Sequence, residues 1–176
     1  MKIMRSLLLG AAAAGILASG AQAADLLVNG ADPIYDSQLF NFEGFYVGAT
    51  LGAGTFPAPG VVGIVGGVAG ANFALTDAFL AGVEFQGDVL WNGAGFVGFD
   101  ALFLGKFGGY LSDDMVVYGT GGGGLVDGVG SYALGAGIEM AVMDQLSVRG
   151  EALATGTFGA WPDGGKATVG VLWHMN

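Results

Sequence analysis

The sequence predicts an all-β chain: an eight-stranded antiparallel transmembrane up-and-down β-barrel, preceded by a cleaved signal peptide. Three observations carry that reading. Apolar and polar residues alternate with a period of two over long stretches, the signature of strands whose two faces meet different surroundings. Only 11% of the 176 residues are charged although 53% are hydrophobic. That is too few charges to clothe a soluble sandwich or lipocalin-like barrel, whose oily faces point inward and whose polar faces point out. Finally, no segment after the N-terminus suits a spanning helix. The longest uncharged stretch, Gly44 to Thr76, contains Pro57 and Pro59 and many glycines, each of which costs a helix interior about 1 kcal/mol relative to alanine. An exported chain of this kind can cross a bilayer only as a closed barrel.

The first element sets the destination. Lys2 and Arg5 precede the apolar run Leu7 to Leu17, and Ala21-Gln22-Ala23 supplies a small-residue cleavage pattern, so residues 1–23 read as a secretory signal peptide. The apolar run is shorter than the ~20 residues a spanning anchor needs. Residues 24–43 then form a periplasmic lead-in, and residues 44–176 the barrel domain. Composition removes other classes. The chain has no cysteine, hence no disulfide scaffold, thiolate metal site or thiol nucleophile. Its 15 acidic residues against 5 basic ones argue against a nucleic-acid partner, which calls for a basic face. The 36 glycines lack a three-residue period and come with 4 prolines, so the chain is not collagen-like.

The strands follow in order. Phe45, Val47, Ala49, Leu51 and Ala53 share one face, opposite Tyr46, Gly48, Thr50, Gly52 and Gly54. Val62 to Leu75 supplies a second, weaker strand. From Phe79 the oily residues Phe79, Ala81, Val83, Phe85, Val89 and Trp91 oppose Leu80, Gly82, Glu84, Gln86, Asp88 and Leu90. From Phe96 to Leu111, Val97, Phe99, Ala101, Phe103, Phe107 and Leu111 oppose Asp100, Lys106 and Tyr110. Met115 to Leu125 and Tyr132 to Val142 are weaker again. Leu146, Val148, Gly150, Ala152 and Ala154 oppose Ser147, Arg149, Glu151 and Thr155. Last, Ala167, Val169, Val171, Trp173 and Met175 oppose Lys166, Thr168, Gly170 and His174.

Tight turns are expected at Thr76-Asp77, Ser112 to Asp114 and Met143 to Gln145. Longer connections are expected at Thr55 to Val61, Asn92 to Gly95, Val126 to Ser131 and Gly156 to Gly165. Such alternation belongs to outer-membrane barrels, with short turns on the periplasmic side. Phe45, Tyr46, Phe73, Phe79, Trp91, Tyr110, Tyr118, Trp161 and Trp173 are candidates for interfacial girdles.

Several short motifs strengthen the reading: Gly44-Phe45-Tyr46-Val47-Gly48, Gly66-Gly67 with Gly70-Ala71-Asn72-Phe73, Gly82-Val83-Glu84, and Gly119-Thr120-Gly121-Gly122. Gly135-Ala136-Gly137-Ile138-Glu139, Arg149-Gly150-Glu151 and Val169-Gly170-Val171 follow. In order and spacing the chain from Gly44 resembles the small outer-membrane β-barrel proteins of Gram-negative bacteria, often called porin-family proteins. The resemblance implies an outer-membrane location, contact with outer-membrane lipids and lipopolysaccharide, and insertion by the outer-membrane assembly machinery. The chain departs from the family at its end: that machinery recognises a terminal aromatic residue, and here Met175 and Asn176 close the sequence.

The expected interior is polar and holds Glu84, Asp88, Asp100, Lys106, Glu139, Arg149, Glu151 and Lys166, because ionised groups survive away from water only when paired or hydrated. Glu139 and Arg149 face each other if a three-residue turn joins their strands, a favourable cross-strand pair; Glu84 and Lys106 form a second. Inward glycines, among them Gly48, Gly66, Gly82, Gly108 and Gly137, suggest room for water.

No catalytic centre, cofactor or metal is expected. His174 reads as a solvated chain-end residue without a serine at its height, and the Gly119, Gly121, Gly124 spacing has no helix after it to bind a phosphate. Gly165-Lys166 lacks the phosphate-loop pattern, and Asp113-Asp114 reads as a solvated turn. The functional expectation is a non-enzymatic envelope protein. The alternatives are a narrow passive channel for small solutes and, behind it, a surface adhesin.

Overall fold

A computed structural model describes residues 40–175. The signal-peptide reading, most of the lead-in and Asn176 lie outside the described residues. The strands are β1 (Gly44–Phe56), β2 (Gly60–Thr76), β3 (Phe79–Asn92), β4 (Gly95–Ser112), β5 (Met115–Val126), β6 (Val129–Met143), β7 (Leu146–Thr157) and β8 (Gly164–Met175). Each pairs antiparallel with its sequence neighbours, and β1 pairs with β8 to close the barrel. The even strand count brings the start of β1 and the end of β8 to one mouth, here called the terminal end; the other is the loop end.

The direction of the two faces decides what kind of barrel this is. Phe85, Phe103 and Val148 are 51%, 61% and 37% exposed, whereas Glu84, Lys106 and Arg149 are 1%, 5% and 1% exposed. The oily face therefore points out and the ionised face in, the arrangement of a transmembrane barrel and the reverse of a soluble one. Along β4 the outward aromatics run from Phe96 to Phe107. Eleven residue steps of about 3.3 Å, tilted by about 40°, rise about 28 Å, close to the hydrocarbon thickness of a bilayer.

The expected alternation of long and short connections is not what forms. Two residues link β3 to β4 (Gly93-Ala94) and β5 to β6 (Asp127-Gly128), as at the terminal end, and three link β1 to β2. Asp127 and Gly128 both have positive φ, 49° and 74°, the primed turn that matches strand twist and lets strands run to their limit. Only the β7–β8 connection, Phe158 to Asp163, is longer. It is tied down by the Tyr132 hydroxyl donating to the Ala160 carbonyl at 2.9 Å.

The three terminal-end hairpins share one construction. Each has a two-residue turn, Asp77-Ala78, Asp113-Asp114 or Asp144-Gln145, next to a register shift that leaves Leu75, Leu111 or Val142 without a partner. The bulge presses that apolar side chain outward. A three-residue Met143 to Gln145 turn does not form; Met143 pairs with Leu146, and the extra residue Val142 restores the register so that Glu139 still faces Arg149. A carbonyl of each turn accepts from the next strand: Ala78 from Tyr110 N on β4, Asp114 from Ala141 N on β6, Gln145 from His174 N on β8, at 2.8–3.1 Å. A fourth shift, between Leu90 and Trp91 and their partners Gly98 and Phe96, skips Val97. Val97 thereby leaves the outer face expected for it and packs against the inner cluster.

The interior is not simply polar. Ile64, Leu90, Leu102, Leu104 and Leu153 join Phe56, Val62, Val126 and Ala133 in an aliphatic core. Tyr46 and Tyr118, expected in the girdles, point inward and are buried, and Tyr110 packs against an inner cluster. Nor do the inward glycines leave open space. A β-carbon on Gly108 would stand 2.8 Å from that of Tyr118, and one on Gly48 3.0 Å from Leu172 Cγ; the Asp88 carboxylate lies against Gly66. Glycine here makes space for a neighbour's large side chain, a close approach that no other residue permits.

Candidate functional site: the buried ionic interior

Alternation places all eight expected ionisable residues inside the barrel, each buried. They form two ionic groups and one polar relay. The central group gathers on Glu84 of β3. Its Oε2 accepts from Arg149 Nη1 at 2.5 Å and from the Tyr46 hydroxyl at 2.5 Å, and forms an ion pair with Lys106 Nζ at 3.2 Å. Gln86 Nε2 donates to Glu84 Oε1 at 2.8 Å and to Glu151 Oε1 at 2.6 Å, and Tyr118 donates to Glu151 Oε2 at 2.9 Å. The Lys106 ammonium also lies over the rings of Tyr118 and Tyr46, at 4.3 and 4.9 Å, where the ring faces add attraction.

The expected Glu84–Lys106 pair is therefore present, but Glu139 and Arg149 do not pair although their backbones face each other. The Arg149 side chain reaches across the lumen to β3, while Glu139 Oε1 is taken by Ser147 Oγ at 2.6 Å and His174 Nε2 at 2.8 Å. On the loop-end side, Lys166 contacts Asp88 and lies 3.8 Å from Asp100. Asp100 Oδ1 also accepts from the backbone N–H of Asp127 at 3.1 Å.

His174 is the clearest correction. It is 0% exposed, not solvated, and Ser147 stands at its height with Oγ 3.3 Å from Nε2. A hydrolytic triad uses both imidazole nitrogens, one toward the nucleophile and one toward the acid. Here Ser147 and Glu139 meet the same Nε2, and Nδ1 has no hydrogen-bond partner among the described residues. The Ser147 hydroxyl donates to the carboxylate, so the group is a structural relay and lacks the geometry of an activated serine.

What covers His174 was invisible to strand periodicity. Residues 40–43, ahead of β1, turn into the terminal mouth. Phe42 is buried among Leu80, Val116 and Tyr118, with Phe40, Tyr110 and Ala141 around it. The rings of Phe40 and Phe42 stand 5.0 and 6.0 Å from the His174 ring, edge-on. Asn72 Nδ2 donates to the Phe42 carbonyl at 3.0 Å, and Gly44, with φ +89°, makes the reversal into β1. This aromatic hook closes one end of the lumen. A water-filled passage leaves its lining accessible, yet side chains at successive levels, Phe42, His174, Arg149 and Leu102, are each at most 2% exposed.

Among the described residues no cluster of three or more histidines or carboxylates is arranged to hold a metal ion. No protein-family model and no curated protein matches the chain. Among solved structures, a de novo designed transmembrane β-barrel is 19% identical, over 73% of this chain and 92% of that chain, with a TM-score of 0.49. The outer membrane protein Ail of Yersinia pestis, in a phospholipid bilayer nanodisc, is 11% identical over 73% of this chain and 97% of that chain, with a TM-score of 0.44.

Proposed function

We propose that the protein is an integral outer-membrane β-barrel with a structural role in the cell envelope, carrying no enzymatic activity and no open channel. The single observation behind this reading is a lumen filled from end to end inside an apolar exterior. The aromatic hook, the central ionic group and the aliphatic core follow one another, with lining side chains shut off from solvent. The N-terminal export pattern supplies the route, and outer-membrane lipids and the assembly machinery are the partners. The channel alternative requires the core around Leu90, Leu102 and Leu104 to part. The adhesin alternative has little surface to work with, since two of the four loop-end connections are two residues long.

Planar-bilayer recording on the purified protein tests the reading. A silent bilayer is expected. Discrete conductance steps that disappear in Glu84→Ala or Lys106→Ala would replace this reading with a pore. Membrane fractionation with unheated and heated gel mobility tests location and fold together: the protein is expected in the outer-membrane fraction, with two mobilities.

A further inference from the structure

The exposed charges of this barrel have one sign. At the terminal rim the surface carboxylates are Glu43, Asp77, Asp113, Asp114 and Asp144. At the loop end they are Asp127 and Asp163. Among the described residues no lysine or arginine is exposed, because Lys106, Arg149 and Lys166 are all committed to the interior carboxylates. Residues 24–39 add Asp25, Asp32 and Asp36 and no lysine or arginine.

Uncharged rings stand next to those carboxylates. Trp91, Phe96 and Trp161 are exposed toward the loop end, and Phe45, Phe79 and Trp173 toward the terminal end. The Trp173 indole donates to Gln145 Oε1 in the turn that contains Asp144, at 3.1 Å. Both rims thus offer a membrane surface amphipathic rings and negative charge together.

The geometry points to a lipid contact built for zwitterionic headgroups and set against anionic ones. The inference rests on the membrane reading above and adds to it the chemistry of the lipid. A zwitterionic headgroup brings an ammonium to the rim carboxylates and buries the rings at its interface. An anionic surface attracts a nearby lysine or arginine about fivefold per charge, and the same field opposes each carboxylate to a similar degree. With no exposed described cation to offset them, the carboxylates act in the same direction at both rims.

The test is refolding of the chain from Ala24 onward, out of urea, into vesicles of phosphatidylcholine alone or with about 30% phosphatidylglycerol, at low ionic strength. Folding is followed by unheated gel mobility and tryptophan emission. The expected result is a rate at least about fivefold lower in the anionic vesicles, recovering in about 1 M salt, where the Debye length falls to about 3 Å. The triple replacement Asp113→Asn, Asp114→Asn, Asp144→Asn is expected to narrow the gap. Equal or faster folding in anionic vesicles overturns the inference and leaves the membrane reading intact. Failure to fold in either vesicle and in detergent overturns both.

Discussion

Replacing Arg149 by methionine tests the central ionic group most directly. The guanidinium is 1% exposed and donates to Glu84 Oε2 at 2.5 Å. The buried carboxylates are Glu84, Asp88, Asp100, Glu139 and Glu151, and the buried lysine and arginine cations are Lys106, Arg149 and Lys166. Without Arg149, five carboxylates would face two such cations, and Glu84 would keep Lys106 alone as its ionic partner. Breaking a buried pair from one side costs about 3–5 kcal/mol. With a urea slope of about 2 kcal/mol per molar for a domain of this size, the unfolding midpoint in detergent micelles falls by about 2 M. Adding Glu84→Gln to the same chain removes the stranded charge. Contacting ionic groups couple by about 0.5–3 kcal/mol, so the double variant is expected to be more stable than the sum of the two single losses implies. A midpoint shift below about 0.5 M for Arg149→Met, together with additive losses in the double variant, would refute the reasoning.

Further expectations follow from neighbouring positions. Leu102 and Phe103 are adjacent but face core and lipid: Leu102→Ala should cost about 2–5 kcal/mol in urea titration through the cavity it leaves. Phe103→Lys should cost about 2–4 kcal/mol in vesicles through burial of a charge in hydrocarbon. Phe42→Ala removes the buried ring of the hook and should make His174 reactive toward diethyl pyrocarbonate, which mass spectrometry of the modified peptide reads directly; continued protection would show that the hook does not seal the mouth. Gly108→Ala should cost about 1–3 kcal/mol by overpacking, since its β-carbon would lie 2.8 Å from Tyr118 Cβ. Gly87→Ala, whose nearest neighbour is 3.5 Å away, should be near neutral in the same titration.

The strands were legible because a barrel wall exposes each residue to one of two media, and a period of two records which. The facing of Glu139 and Arg149 agrees with expectation although the turn does not, because the bulge at Val142 offsets the shorter two-residue turn. The partner of Arg149 was not legible: Glu84 lies 65 positions away, on the far wall, and a long side chain in a narrow lumen chooses among all walls. Leu90, Leu102 and Leu104 share the face that carries the charges, and only closure of the barrel brings them together as a core. His174 looked solvated because its strand ends there, and only the reversal at Gly44 brings Phe40 and Phe42 over it. Leu75, Leu111 and Val142 are paired with nothing because turn geometry, not hydrophobicity, sets the bulges.

The hook is covalently joined to β1, one of the two strands that form the closing seam with β8. Seven seams join strands consecutive in the chain; the eighth unites the beginning and end of the barrel. The seat of Phe42 among Leu80, Val116 and Tyr118 lies on β3 and β5, away from that seam. Cork and clasp therefore belong to one strand, and a displacement of β1 from β8 also draws Phe42 from its seat.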